Sequence, residues 1–219
     1  MEIINQTKNF YIKELKLLFR NKGSYGGVLL FLISSVFVVY HATGISTNPN
    51  ILNGIIWILL LFSITTAVTA NFSKEDDAIN IYNYGIINPI AYIIAKVILN
   101  IVISILLALL LLALFYLFFS FIPLNIMQYI IGILAGSIGF SLILTFTSAL
   151  ASRAGGNFTL VAVLSFPLVF PVIIIANKIT LSALSISETF NFNFLLQSSL
   201  LNILILLLII VLFPYLWKE

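Results

Sequence analysis

Residues 97–152 read VILNIVISILLALLLLALFYLFFSFIPLNIMQYIIGILAGSIGFSLILTFTSALAS and contain no Asp, Glu, Lys or Arg. Two further stretches, 23–73 and 189–217, are also free of these four residue types. A helix that spans the hydrocarbon core of a bilayer needs roughly 20 mostly apolar residues. Each charge-free stretch therefore holds one or two spans, and the chain is an all-α integral membrane protein whose charges mark the segments that meet water.

The composition supports the same conclusion. Hydrophobic residues make up 62% of the chain and charged residues 8%, whereas ordinary globular domains carry about 25% charged residues. The 219 residues leave room for about six spans with short loops, so we expect one transmembrane domain over 1–219 and no soluble catalytic domain. The chain has no cysteine, which excludes disulfides and thiolate metal sites.

Apolar windows separated by turn residues predict six spans. The third window is long enough that its helix must tilt or extend past the lipid headgroups. The predicted spans cover residues 26–42, 52–72, 90–119, 127–151, 158–176 and 194–216.

The distribution of Lys and Arg predicts the orientation of these spans, because cytoplasmic loops are enriched in both residues. With a cytoplasmic N-terminus, only Lys178 lies on the outer side. Lys96 lies near the inner end of the third span, and we expect it to snorkel to the inner surface. Both termini are therefore predicted to be cytoplasmic. The net charge of +3 comes mainly from the N-terminus and indicates topology, not nucleic-acid binding.

The N-terminal segment 1–22 is predicted to contain an amphipathic helix over 7–20. Its apolar residues recur at helical spacing, with Lys13, Lys16 and Arg20 beside them. Apolar burial and attraction to anionic lipids hold such a helix at the membrane interface. The segment is either only a basic signal for membrane orientation or an elbow helix that positions the first span and touches a cytoplasmic partner.

Residues 73–89 form a polar connection that is predicted to be cytoplasmic, and they read SKEDDAINIYNYGIINP. Ser73 is a candidate N-cap for a short helix over about 74–84, and Gly85 would end this helix. Such a helix can contact a separate motor protein, but the acids can equally serve only to keep the loop in water. The residues that would make the contact are Glu75, Asp76, Asp77, Tyr82, Tyr84, Asn88 and Pro89, of which Pro89 opens the third span.

Several polar residues lie inside the predicted fourth span, on one helical face. Hydroxyl and small side chains let membrane helices approach and hydrogen-bond each other, so this face is either a helix-packing face or the wall of a substrate path or dimer interface. The residues concerned are Ser137, Ser141, Thr145 and Ser148. No Asp, Glu or Arg lies near the centre of any span, which argues against an ion-coupled carrier and favours an external source of energy.

Two other features carry open interpretations. His41, the only histidine, lies at the outer end of the first span, where a metal or haem ligand is conceivable, but no second ligand is evident. Pro167 and Pro171 each remove a backbone hydrogen bond in the fifth span and predict a bend. No phosphate loop, catalytic triad or metal-ligand cluster is present in the sequence, so we expect no covalent chemistry from this chain.

Together these segments resemble the haem exporter protein B family (CcmB). The resemblance covers about residues 10–180. It rests on KELK at 13–16 followed by Arg20, GIIW at 54–57, the acidic stretch followed by NP at 88–89 and AK at 95–96, and FPLVFP at 166–171. The chain departs from the family at 78–81, where it has AINI in place of the common GSLE.

The resemblance implies a permease subunit of the type found in type-2 ABC exporters, in a bacterial cytoplasmic (inner) membrane. Its partners would be a cytoplasmic ABC ATPase subunit, a second copy of the chain, haem-handling membrane proteins of cytochrome c maturation, and membrane lipids. The chain itself would bind no cofactor: ATP would bind the partner, and haem is a possible substrate. In this interpretation the segment 73–89 couples the permease to the ATPase.

Two alternatives come from other classes. The chain can be the permease of another ABC exporter, for a lipid, polysaccharide or drug, in which case its loss leaves c-type cytochromes intact. It can also be a membrane scaffold that transports nothing. Substrate-stimulated ATP hydrolysis by the reconstituted complex would exclude the scaffold.

Overall fold

The computed structural model describes residues 2–20, 22–44, 48–72, 88–153, 159–185 and 192–216. The regular structure within these ranges is entirely α-helical. The helices are α1 (Glu2–Arg20), α2 (Lys22–Thr43), α3 (Pro49–Phe72), α4 (Pro89–Phe119), α5 (Ile126–Arg153), α6 (Thr159–Ser182) and α7 (Phe192–Leu216).

Helices α2 to α7 are long and apolar enough to cross a bilayer, which confirms the predicted six-helix, all-α membrane fold. The helix at the N-terminus is longer than predicted and begins at Glu2. Most of the span boundaries agree with the sequence prediction within a few residues, because the apolar windows end at residues that stop helices.

Local chemistry explains where two of the helices begin or end. Gly44 adopts φ +71° after α2, and its amide donates to the Tyr40 carbonyl at 3.0 Å; this left-handed conformation favours glycine at a helix C-terminus. Asn88 caps α4 by accepting a hydrogen bond from the Ile90 amide at 2.9 Å. Pro89 follows at the first helical position, where its missing N–H costs nothing.

Helix α6 continues to Ser182, so the predicted end of this span at residue 176 is wrong. The prediction treated Asn177 and Lys178 as the exit from the membrane. The Asn177 side chain instead bonds to Asn53 of α3 at 2.8 Å, and Thr180 accepts from the Trp57 indole at 3.1 Å. Because these polar groups have partners inside the bundle, the helix does not need to end there.

Helix α5 lies at the centre of the bundle and packs against α3, α4, α6 and α7. In its membrane-spanning window 67% of residues are buried, compared with 17% in α2 and in α7. Three glycines of α5 allow this close packing, namely Gly132, Gly136 and Gly139. A Cβ on Gly132 would lie 2.8 Å from Ile179 of α6, and one on Gly139 would lie 2.6 Å from Val172. Helices α2 and α7, in contrast, present broad apolar faces outward, as expected for helices that contact lipid.

Candidate functional site

Helix α1 packs against the first three turns of α4. One residue on each of three successive turns of α1 contacts one residue on the corresponding turn of α4. The Asn88 amide donates to the Gln6 side-chain oxygen at 3.2 Å. The Phe10 and Tyr92 rings lie 5.1 Å apart. Lys96 and Glu14 form an ion pair at 2.9 Å. Because each pair joins residues 82 positions apart, the two helices run side by side in the same direction. We call this part of the bundle the α1 end.

Lys96 is completely buried at the α1 end, with 0% of its surface exposed. Its Nζ donates to Glu14 Oε2 at 2.9 Å and to the Asn71 carbonyl at 3.1 Å. The same atom lies 5.3 Å from the centre of the Phe72 ring and 5.8 Å from that of Tyr92. The prediction that Lys96 snorkels to the membrane surface is therefore wrong. A carboxylate, a carbonyl and two aromatic faces replace water around the ammonium group.

A line of hydrogen bonds continues from Lys96 into the centre of the bundle. The Asn71 side-chain amide donates to Asn100 at 2.6 Å, and the Asn100 amide donates to the Thr145 hydroxyl at 2.9 Å. Glu14, Lys96, Asn71, Asn100 and Thr145 thus form a continuous polar chain, which links α1 to α4, α3 and finally α5. The sequence indicated the membrane position of each residue but not that they touch.

The predicted polar face of the fourth span is buried inside the single chain. Ser137 donates to the Leu134 carbonyl of its own helix at 2.9 Å, and Thr145 belongs to the polar chain. The hydroxyl oxygens of Ser141 and Ser148 are buried without a hydrogen-bond partner among the described residues. Both predicted roles of this face, helix packing and the wall of a substrate path or dimer interface, stay predictions.

At the opposite end of the bundle, polar side chains join α3, α5 and α6. The Trp57 indole donates to Thr180 at 3.1 Å, and Asn53 donates to Asn177 at 2.8 Å. The Tyr129 hydroxyl of α5 donates to the Asn53 side chain at 2.8 Å. Sequence reasoning missed this cluster, although isolated Asn and Trp residues in an apolar window are a usable signal for such contacts.

Most of the predicted coupling segment lies outside the described residues, including Glu75, Asp76, Asp77, Tyr82 and Tyr84. Its last two residues, Asn88 and Pro89, are the cap and first residue of α4. The structure therefore places the end of the segment directly against Gln6 of α1. The coupling role itself stays a prediction.

The predicted interfacial cations Lys13, Lys16 and Arg20 lie on the exposed side of α1, beside Ile12 and Leu17. Together they line a shallow basic groove with apolar walls. This combination suits the headgroup and upper acyl chain of an anionic lipid. Lipid binding there stays a prediction.

The remaining predicted residues are separate from the polar chain. Pro167 and Pro171 lie inside α6 on its exposed side, and the predicted bend stays a prediction. His41 is exposed at the end of α2, with ring centres of Phe37 at 5.0 Å and Tyr40 at 6.4 Å. These aromatic neighbours suit a residue at a membrane interface, and a ligand role for His41 stays open.

The family model described as CcmB protein matches residues 6–215 of the chain. A search of curated proteins found no match. The matched region includes all six spanning helices and the three pairs of residues that join α1 to α4.

Proposed function

Because the chain belongs to the CcmB protein family, we propose that it is the permease subunit of an ABC transporter complex that handles or exports haem for c-type cytochrome biogenesis. The family match over residues 6–215 is the observation that carries this proposal. The resemblance of the coupling segment, GIIW and paired-proline motifs points the same way. ATP hydrolysis would take place in a separate subunit.

The length of α4 supports a contact with a cytoplasmic partner. Its 31 residues span about 46 Å, whereas the hydrocarbon core is about 30 Å thick. A helix of this length that is not strongly tilted extends beyond the hydrocarbon, and α1 and the coupling segment meet at one of its ends. The start of α4 and the α1 helix packed against it would provide a protein surface outside the lipid for an ATPase.

The proposed assembly has two permease and two ATPase subunits, because nucleotide-binding subunits of this kind act in pairs. It would work with haem-handling membrane proteins in the bacterial inner membrane, with both permease termini in the cytoplasm. An external ATPase also fits the membrane-embedded polar residues described above. Only Lys96 of the polar chain is ionisable within a spanning helix, and its charge is already paired with Glu14.

Deletion of the gene tests the proposal. We expect haem-stained c-type cytochromes to disappear from the membrane fraction and to return when the intact chain is supplied from a plasmid. The intact chain should also co-purify with an ATP-hydrolysing subunit from native membranes. Normal c-type cytochromes in the deletion strain, together with loss of another export process, would contradict the proposal and favour a different substrate.

A further inference from the structure

We infer that the Glu14–Lys96 ion pair is a latch that transmits movement of α1 to the central helix α5 through the polar chain. The ion pair is the first contact of this chain, and Thr145 of α5 is its last residue. Docking of α1 through this ion pair is a conformational property of the chain itself. It gives the proposed ATPase partner a route into the membrane domain, but it can be tested without that partner.

Helix α1 is attached to α4 by contacts that match along both helices. Contacts at Gln6, Phe10 and Glu14 fall on three successive turns of α1 and meet three successive turns of α4. The Tyr92 ring in the middle contact also stacks on Phe213 of α7, with centres 5.8 Å apart and an interplanar angle of 7°. Because α1 is held at three successive turns, a force on the segment that enters α4 at Asn88 acts on both helices together.

Opening the ion pair is costly because both side chains are largely buried. Glu14 is 11% exposed and the Lys96 side chain 1% exposed. A buried ammonium group that loses its carboxylate is strongly destabilised. Lys96 would then have to extend its side chain to water, as a lysine near a membrane surface can do. On this inference the latch has two arrangements: the paired one seen in the structure, with α1 docked, and an open one, with α1 released.

The polar chain continues beyond Lys96 to α5. The Lys96 ammonium donates to the backbone carbonyl of Asn71, whose side chain in turn bonds to Asn100. Asn100 uses its oxygen for Asn71 and its amide for Thr145. A shift of Lys96 takes a donor from the Asn71 backbone carbonyl, which is costly in an apolar environment. An adjustment of the Asn71 backbone would move its side chain and with it the bond to Asn100. A shift of Lys96 is thus expected to rearrange these hydrogen bonds together and to reach α5.

A double-mutant cycle between the two ends of the chain tests the coupling. The variants are Glu14→Gln, Thr145→Val and their combination, with thermal unfolding of the full chain measured in detergent. We expect the combined shift in Tm to differ from the sum of the single shifts by about 2 °C or more. Lys8→Gln, an exposed cation on the same helix, combined with Thr145→Val should give additive shifts. Additive shifts in the Glu14 cycle would overturn the inference.

A second measurement covers the case in which Glu14→Gln does not fold. The double variant Glu14→Met/Lys96→Met removes both charges and avoids an unpaired one, so it should keep the fold. Hydrogen exchange of residues 2–20 in the full chain should be faster in this variant than in the wild type and unchanged in Lys8→Gln. Wild-type exchange in the double variant would show that the pair does not hold α1 and would overturn the latch.

These two measurements use the chain alone, so they are independent of its transport role. If co-purification identifies the ATPase, the Glu14→Met/Lys96→Met variant should still bind it but stimulate its ATP hydrolysis less than the wild type. Full stimulation would contradict transmission through the latch. If the double-mutant cycle shows coupling but no ATPase co-purifies from native membranes, the proposed function is contradicted and the latch stands.

Discussion

The indole ring of Trp57 on α3 occupies the space beside Gly136 on α5 that a side chain would need. A Cβ at Gly136 would also lie 2.8 Å from the Cβ of Ala176 on α6. Three helices therefore meet at a single glycine. Cores packed this closely lose stability when even one methyl group is added.

Gly136→Ala is accordingly expected to lower the stability of the bundle by about 1–3 kcal/mol, measured as thermal unfolding in detergent. Gly54→Ala is the matched control, because a Cβ at Gly54 meets nothing within 4 Å. Alanine favours a helix over glycine, so the control should be neutral or more stable. Equal stability of Gly136→Ala and the wild type would contradict the observed packing.

The hydrogen bond from Trp57 to Thr180 gives a second prediction. Thr180→Val keeps the side-chain shape but leaves the buried indole N–H without its acceptor. We expect a loss of about 0.5–2 kcal/mol, the range for hydrogen bonds between membrane helices. Thr66→Val is the control, since Thr66 is exposed and bonds only within its own helix, to Phe62. The prediction fails if both variants lose the same stability.

Asn71 and Asn100 should be energetically coupled, because their side chains share a 2.6 Å hydrogen bond. In a cycle of Asn71→Ala and Asn100→Ala, we expect a coupling of about 0.6 kcal/mol or more. Asn71→Ala combined with Asn53→Ala should be additive, since Asn53 bonds at the opposite end of the bundle. Chemical denaturation in mixed micelles provides the measurement, and a coupling of zero for Asn71 and Asn100 would refute the shared hydrogen bond.

Charge reversal in the coupling segment tests the contact with the ATPase. Changing Glu75, Asp76 and Asp77 to Lys should lower ATPase recovery in co-purification by at least about tenfold, because opposite charges at an interface become like charges. Membrane insertion should persist, as added lysines favour a cytoplasmic loop. Glu188→Lys, in the predicted outer loop, should leave recovery unchanged. Undiminished ATPase recovery with the triple variant would remove the coupling role from this segment.

The orientation of the chain can be tested directly, because it contains no cysteine. Single cysteines at Glu2 and Glu75 should react with a membrane-impermeant maleimide only after the cytoplasmic face is opened. A cysteine at Glu188, in the predicted outer loop, should react from the outside in intact cells. Labelling of positions 2 and 75 from opposite sides would contradict the predicted six-span topology.

Several features of the fold follow from local sequence alone. The charge-free windows predicted six spanning helices because hydrocarbon excludes charge whatever the neighbouring helices are. Asn-Pro at 88–89 carries a helix start in its own chemistry, with a capping oxygen and a proline that has no N–H and therefore needs no acceptor. The opening of the third span at Pro89 was therefore predictable without any knowledge of packing.

The two errors arose where a polar residue has a distant partner. The sequence placed Lys96 at the membrane surface and ended the fifth span before Asn177, because each residue taken alone prefers water. Glu14 lies 82 positions from Lys96, and Asn53 lies 124 positions from Asn177. Nothing in the local pattern of either residue shows that such a partner is present.

The sequence by itself determined that this chain crosses the bilayer, which residues form most of its helices, and to which family it is similar. These properties depend on the free energy of transferring short segments from water to lipid, which each segment's own residues determine. Only the tertiary structure decided that α1 is fastened to α4 by an ion pair and connected to α5 by hydrogen bonds. Those contacts depend on which helices become neighbours, and the packing of the whole bundle decides that.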